Sequence, residues 1–202
     1  MSKRIHQTFV QVADGIADAL RIAIQEAGPI TLPRTDNETP LAERLCRAVA
    51  GQQLSTKAAA TIWGRVVQSR GRRTLVNHVA AADIEQLREC GLSGSKAKAM
   101  KAIVAAEREG VLDVKSLKQL RHAERSARLT SIWGVGQWTA DMIGMFYFRD
   151  ADIWPASDIT VWKTLQRLTN EDTDHTLTAQ EFAPHRTYLA LYMYAIKDAS
   201  PE

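Results

Sequence analysis

The sequence is short of cysteine, of long apolar runs, of strand-like alternation and of charge of one sign, and each shortage closes off a class of protein. Cys46 and Cys90 stand apart from each other and from any Cys-x-x-Cys or His-x-x-x-His spacing, so nothing here holds zinc or an iron–sulfur cluster. Buried thiols in a reducing compartment are the expectation. No apolar stretch approaches the ~18 residues of a membrane span. The start of the chain is broken up by Lys3, Arg4, His6, Gln7 and Asp14, which argues against a signal peptide. The expected location is therefore the cytoplasm, with the nucleoid in a bacterium or in the nucleus of a eukaryote, and no membrane partner. Lys and Arg number 26 against 23 Asp and Glu, a net charge of +3. That permits a nucleic-acid partner without requiring one.

What is present is a core-forming helical chain. With 202 residues, 45% of them hydrophobic, it can bury a core as one domain or two close lobes. Strand-favouring runs such as Thr74-Leu75-Val76 are too short to build a sheet, and the fold class read from the pattern is all-α. Helical spacing of Phe9, Val12, Ile16 and Leu20 predicts one leading helix over residues 5–27. Gly28-Pro29 breaks it, and residues 30–40, with Pro33, Asp36 and Asn37, form a loop. Thr39 then caps a helix with Pro40 at its first position. Gly51-Gln52-Gln53-Leu54 interrupts that helix, and Ser55 or Thr56 caps the next, to about Ser69. Further helices are expected over 83–90, after Gly91-Leu92-Ser93-Gly94, over 114–120, 124–131 and 159–169, and from Pro184 to Tyr194. Residues 171–174 read as a loop and 178–182 as a short turn.

The chemistry gathers around Leu129-Thr-Ser-Ile-Trp-Gly-Val-Gly-Gln-Trp-Thr-Ala140. Gly134 and Gly136 bracket Val135 between two helical segments, which reads as helix, tight hairpin, helix. Glycine permits positive φ and close backbone approach. The hairpin amides, at the start of a helix, favour an anion such as phosphate. Taken alone, Gly-Val-Gly reads first as an ordinary helix–helix corner with glycine at the helix end. Downstream, Asp152-Ile-Trp-Pro-Ala-Ser-Asp158 places an aspartate 22 residues beyond Gly136.

The pattern Leu-x-x-Ile-x-Gly-Val-Gly-x-x-Thr-Ala, followed by an aspartate after Trp-Pro-x-x, resembles the helix-hairpin-helix (HhH-GPD) DNA glycosylase superfamily. The resemblance runs from about Leu41 to Ala195. It implies a two-lobed helical fold with the active cleft between the lobes: residues 1–40 and 149–202 in one, and a central helical barrel of residues 41–148 carrying the helix-hairpin-helix at about 117–148. It also implies that Gly134, Val135, Gly136 and Thr139 grip a DNA phosphate, and that Asp158, rather than Asp150 or Asp152, is catalytic. Read without the family, Asp158 is the N-cap of the helix that follows. The Gly-Gln-Gln-x-Ser turn is similar to one in alkylation-repair members, whose side chains enter the duplex where a nucleotide is extruded. That makes Gln53 and Leu54 candidates for the wedge, with Ser55 and Lys57 beside them on the backbone; otherwise the paired glutamines form a polar turn between helices. Gly91-Leu92-Ser93-Gly94-Ser95-Lys96 resembles a second phosphate-binding turn, implying contacts from Ser95 and Lys96, with Lys98 and Lys101 close behind, although a surface role suits Lys96 as well.

Family members with lyase activity carry a lysine where this chain has Trp138. The resemblance thus narrows to the 3-methyladenine glycosylase II branch in compact form: monofunctional hydrolysis of the N-glycosidic bond of alkylated purines, without strand cleavage. Such a base is cationic, and an indole face attracts it by about 0.5–2 kcal/mol per contact. Trp138 is the prime pocket residue, with Trp133 and Trp154 as further walls. Trp63 and Trp162 read as core. Asp158 stabilises the oxocarbenium-like sugar or activates water. No cofactor is required, though the resemblance allows a structural monovalent cation on the carbonyls of Ser131, Trp133 and Gly136. The implied partner is double-stranded DNA containing damaged bases, with the protein a monomer and no obligate protein partner. Two alternatives are a helix-hairpin-helix glycosylase for another lesion class and a non-catalytic binder of distorted DNA.

Overall fold

The computed structural model describes residues 1–33, 39–170 and 174–199. The expected loop residues Asp36 and Asn37, and most of the loop expected at 171–174, lie outside them. The described residues form helices and no strand. The chain divides into two compact units, one of Met1–Thr35 with Gly144–Glu202 and the other of Asp36–Ile143.

The first unit opens with α1 (Lys3–Asp14), whose N-cap Ser2 accepts from the Ile5 amide, and α2 (Asp18–Ala27). The single leading helix expected from periodicity is therefore two. Gly15 caps α1, Ala17 is extended, and Asp18 opens α2. Glycine's low helix propensity ends the first helix, and an acid at the second N-terminus suits its dipole. Phe9, Ala13, Leu20 and Ile24 keep one apolar face across the break, all buried.

The second unit runs through α3 (Leu41–Gly51), α4 (Thr56–Ser69), α5 (Leu75–Ala81), α6 (Ile84–Glu89), α7 (Gly94–Arg108), α8 (Val114–Gln119), α9 (His122–Thr130) and α10 (Gln137–Ile143). Pro40 occupies the N-cap of α3 with ψ 148° and no side-chain cap bond, one position earlier than expected. Its extended ψ keeps it outside the helix while its carbonyl accepts from the Arg44 amide. Helix α5 was hidden by its β-branched start; Thr74 caps it by accepting from the Asn77 amide. Ser55 caps α4, Asp83 and Gln86 form a capping box on α6, and Ser93 caps α7. Helix α7 packs against α3, α5 and α6 and buries Met100 and Ile103 completely. Side chains of that kind contribute about 1.5–3 kcal/mol each.

Two lysines of α7 turn inward. Lys96 Nζ donates to the carbonyls of Ala50 and Gln52, at 3.0 and 2.7 Å, and Lys101 Nζ to those of Ala80 and Ala82, at 3.0 and 2.7 Å. Each ammonium thus closes the C-terminal end of a neighbouring helix, α3 or α5, where orphan carbonyls and the negative dipole end attract a cation.

The chain returns to the first unit with a π-helical segment (Gly144–Phe148), then α11 (Ile159–Leu168), α12 (His175–Gln180) and α13 (Arg186–Ala199). The turn expected at 178–182 is thus mostly helix, starting three residues earlier because Asp174 caps it. Helix α13 packs on α11 and α2 and buries Tyr192 and Met193. Cys46 and Cys90 are buried free thiols, and burial pushes the Cys46 thiol far above its usual range.

Candidate functional site

In the second unit the hairpin joins α9 to α10. Val135 is its buried anchor, and its amide donates to the Ile132 carbonyl. Gly134 has φ +83°, and a Cβ built there would lie 2.4 Å from the Cβ of Ala99 on α7. Both the conformation and the contact demand glycine. Gly136 differs: no atom lies within 4 Å of its would-be Cβ, and its carbonyl accepts from the Ala140 amide as α10 begins. The leading amides of α10 have no intrahelical acceptor by helix geometry.

A chain of side-chain bonds fixes the two helices of the hairpin. Asp141, buried on α10, accepts from Gln137 Nε2 at 2.7 Å and pairs with His122 Nε2 at 2.9 Å. Gln137 in turn accepts from Ser126 Oγ. Beside the hairpin, a depression of about 620 Å³ is lined by Gln52 and by residues Thr130 to Gly136.

Gln52 links the glutamine turn to this depression. Its Nε2 donates to Thr139 Oγ1 at 3.1 Å, and its carbonyl receives Lys96. This geometry bears on two sequence assignments. The Thr139 side chain is 1% exposed with its hydroxyl turned to Gln52, which leaves only its backbone to face a ligand. The Lys96 ammonium, expected on a phosphate, is spent on helix-end carbonyls, and burial lowers its pKa. Lys96 therefore props the turn that presents Gln53 and Leu54, both exposed. Gln53 has φ +57°, a left-handed conformation that costs a non-glycine residue about 1 kcal/mol or more. Ser55, Lys57 and Ser95 are exposed, although the Ser55 hydroxyl is engaged in capping α4. Trp133 is 55% and Trp138 37% exposed.

In the first unit, Asp158 is 7% exposed and is the N-cap of α11. Its Oδ1 accepts from the Val161 amide at 3.1 Å, and its Oδ2 accepts from the Tyr194 hydroxyl at 2.8 Å. Capping and a chemical role are compatible, since the cap bond takes one of the carboxylate's roughly four acceptor positions. The segment leading to Asp158 is bolted to α13. Arg186 makes a bidentate pair with Asp152, Nε to Oδ1 at 2.7 Å and Nη2 to Oδ2 at 2.9 Å. The hydrogen bond from Arg186 is the main reason the Asp152 carboxyl lies below its usual range. Thr187 Oγ1 donates to the Asp150 carbonyl and accepts from the Ile153 amide. Asp152 is thus a structural acid.

Trp154, expected as a pocket wall, is largely enclosed within the first unit. It is 9% exposed, its indole N–H donates to His175 Nδ1 at 3.3 Å, and His175 stacks on Trp162 at 5.7 Å. Trp154 packs the first unit, because the chain after Asp152 turns its ring toward α12. Sequence reasoning missed Tyr194, Thr187, the Asp152–Arg186 pair and the His122–Asp141–Gln137 network. Each is a pairing across distant or polar positions that periodicity does not register. Among the described residues no group of three or more His, Cys, Asp or Glu side chains could hold a metal.

Comparison with known proteins identifies the family. The model of the HhH-GPD superfamily base excision DNA repair protein matches residues 46–184. The DNA-3-methyladenine glycosylase 1 of Schizosaccharomyces pombe is 34% identical over 160 residues, covering 75% of this chain and 70% of that protein. The solved S. pombe 3-methyladenine DNA glycosylase in complex with abasic DNA superposes with a TM-score of 0.81 at 25% identity, covering 96% of this chain and 98% of that one. A DNA-3-methyladenine glycosidase from Bacillus halodurans gives 0.80 at 26% identity, covering 96% and 89%. The chain belongs to the HhH-GPD superfamily of base excision DNA repair proteins.

Proposed function

We propose that this protein is a monofunctional DNA glycosylase that extrudes an alkylated purine from duplex DNA and hydrolyses its N-glycosidic bond, leaving an abasic site. The observation that carries the reading is Asp158, a buried carboxylate fixed on both oxygens at the position the family's motif assigns to its acid. The relatives named as 3-methyladenine glycosylases support the substrate class.

The chemistry follows from charge. A purine alkylated at N3 or N7 is a cation, and the electrons of the breaking C1′–N bond neutralise it, so it leaves without a strong general acid. The sugar becomes positive as the bond lengthens. A carboxylate held in a site poor in water stabilises that charge and can take the proton of the water that adds to C1′. The half-exposed indole of Trp138 suits stacking on a cationic base, and Trp138 stands where an attacking lysine amine would be needed for lyase chemistry.

The hairpin supplies grip. Gly136 has room for a side chain within the protein, so the missing one opens the backbone to approach from outside; the amides of Gly134, Gly136 and α10 are donors for one phosphate. The carbonyls of Ser131, Trp133 and Gly136 belong to residues lining the depression. Neutral oxygens of this kind fit a hard monovalent cation shared with that phosphate, with one lone pair of Gly136 already used by Ala140. Such an ion would be structural, leaving no cofactor for the reaction itself. The exposed, strained Gln53 with Leu54 suits a wedge filling the gap left by the flipped base. A monomer acting on DNA in the cytoplasm, the nucleoid or the nucleus fits this role.

The test is release of free bases from methylated duplex DNA, with strand breaks followed in parallel. Methylpurine release that collapses in Asp158→Asn, with breaks appearing only after alkali, is the expected result. Binding to distorted DNA without base release would replace this reading with a non-catalytic one.

A further inference from the structure

We propose that Tyr194 is a positioning residue for the reaction, its hydroxyl holding the Asp158 carboxylate in the orientation that faces the sugar. The inference rests on the glycosylase reading of Asp158. An ionised carboxylate has about four acceptor positions on its two oxygens. Here the Val161 amide takes one on Oδ1 and the Tyr194 hydroxyl takes one on Oδ2. A donor on each oxygen restrains both the torsion of the group and the plane it lies in.

The placement of Tyr194 is built into α13. That helix starts at Arg186, whose guanidinium grips Asp152, and Thr187 holds the neighbouring backbone at Asp150 and Ile153. Tyr194 follows on the same rigid helix about two turns later. One element therefore sets the path of the chain into Asp158 and then aims a donor at its side chain. The adjacent Tyr192 and Met193 are buried in the core, so the backbone carrying Tyr194 is not free to drift, and its half-buried ring presents a hydroxyl on a two-torsion side chain. Alignment of a charged group with developing charge is a term to which rate is sensitive and binding is not.

The experiment measures single-turnover release of 7-methylguanine from a methylated duplex, in excess over spontaneous loss, for the native protein, Tyr194→Phe, Asp158→Asn and the double variant. Affinity for an abasic-site duplex and the melting temperature are taken alongside. Removing a hydrogen bond to a charged group predicts a rate lowered about tenfold to a hundredfold in Tyr194→Phe, with affinity and melting temperature near native. In the Asp158→Asn background the same change should slow release no further, because the two side chains act as one unit. A native rate in Tyr194→Phe overturns the inference, as does an equal slowing with and without Asp158, which would mark Tyr194 as a packing residue only. Absence of release by the native protein is a different failure, that of the glycosylase reading itself, and the inference falls with it.

Discussion

Gly134 and Gly136 stand two residues apart and do different work. At Gly134, φ is +83° and an added Cβ meets Ala99 at 2.4 Å. Gly134→Ala therefore carries left-handed strain of about 1–2 kcal/mol and pushes the hairpin off α7. Its expected outcome is a melting temperature lowered by several degrees together with weakened DNA binding, read by thermal denaturation and a binding titration. At Gly136 the protein itself has room. Gly136→Ala should melt like the native protein while binding an abasic duplex less tightly, and full affinity in this variant would show that no ligand approaches there. The sequence displayed both glycines and the aspartate beyond them, because turn residues and motif spacing are local signals. It did not tell the glycines apart, since Ala99 lies 35 residues before Gly134. Nor could it connect Tyr194 to Asp158 across 36 residues, or show that Lys96 would spend its charge on carbonyls of α3 instead of on DNA.

At the scale of elements, the segment before Asp158 keeps its path through the pair that Asp152 makes with Arg186. Because the folded Asp152 carboxyl is depressed below its ordinary value of 3.8, its contribution to stability is complete above that pH and is lost as the pH falls through the folded value. Asp152→Asn should melt below the native protein at neutral pH, and the gap should close on acidification through that lower range. A gap that persists in acid would mean that the neutral hydrogen bonds, and not the charge, hold the segment. Helix starts were the most legible elements, since Ser55, Asp83 and Ser93 announce theirs by side-chain capping. Boundaries without such a signal were not: the amphipathic stripe of α1 and α2 continues through the break at Gly15, and Leu75-Val76 looked more like strand than the start of α5. Tertiary packing on α7 decides α5, and periodicity over seven residues cannot.

For the whole molecule, the candidate residues are divided by chain topology. The hairpin, the glutamine turn and Trp138 belong to the unit of Asp36–Ile143, whereas Asp158 and Tyr194 belong to the unit assembled from both ends of the chain. The residues proposed to grip DNA and the residue proposed for the chemistry thus belong to separate cores. The overall charge of +3 bears on the proposed grip. A phosphate held by backbone amides is bound by neutral donors, which displace few counterions, and Lys96 is turned inward. At the start of α4, beside the glutamine turn, Lys57 is an exposed ammonium. The dependence of log affinity on log salt for an abasic duplex should therefore be shallow, with a slope of about −2 to −4. Lys57→Ala should flatten the slope by about one more unit, without changing the single-turnover rate at saturating protein. A slope near about −8 would instead mean that a broad cationic surface does the holding, and that the hairpin amides contribute register more than affinity.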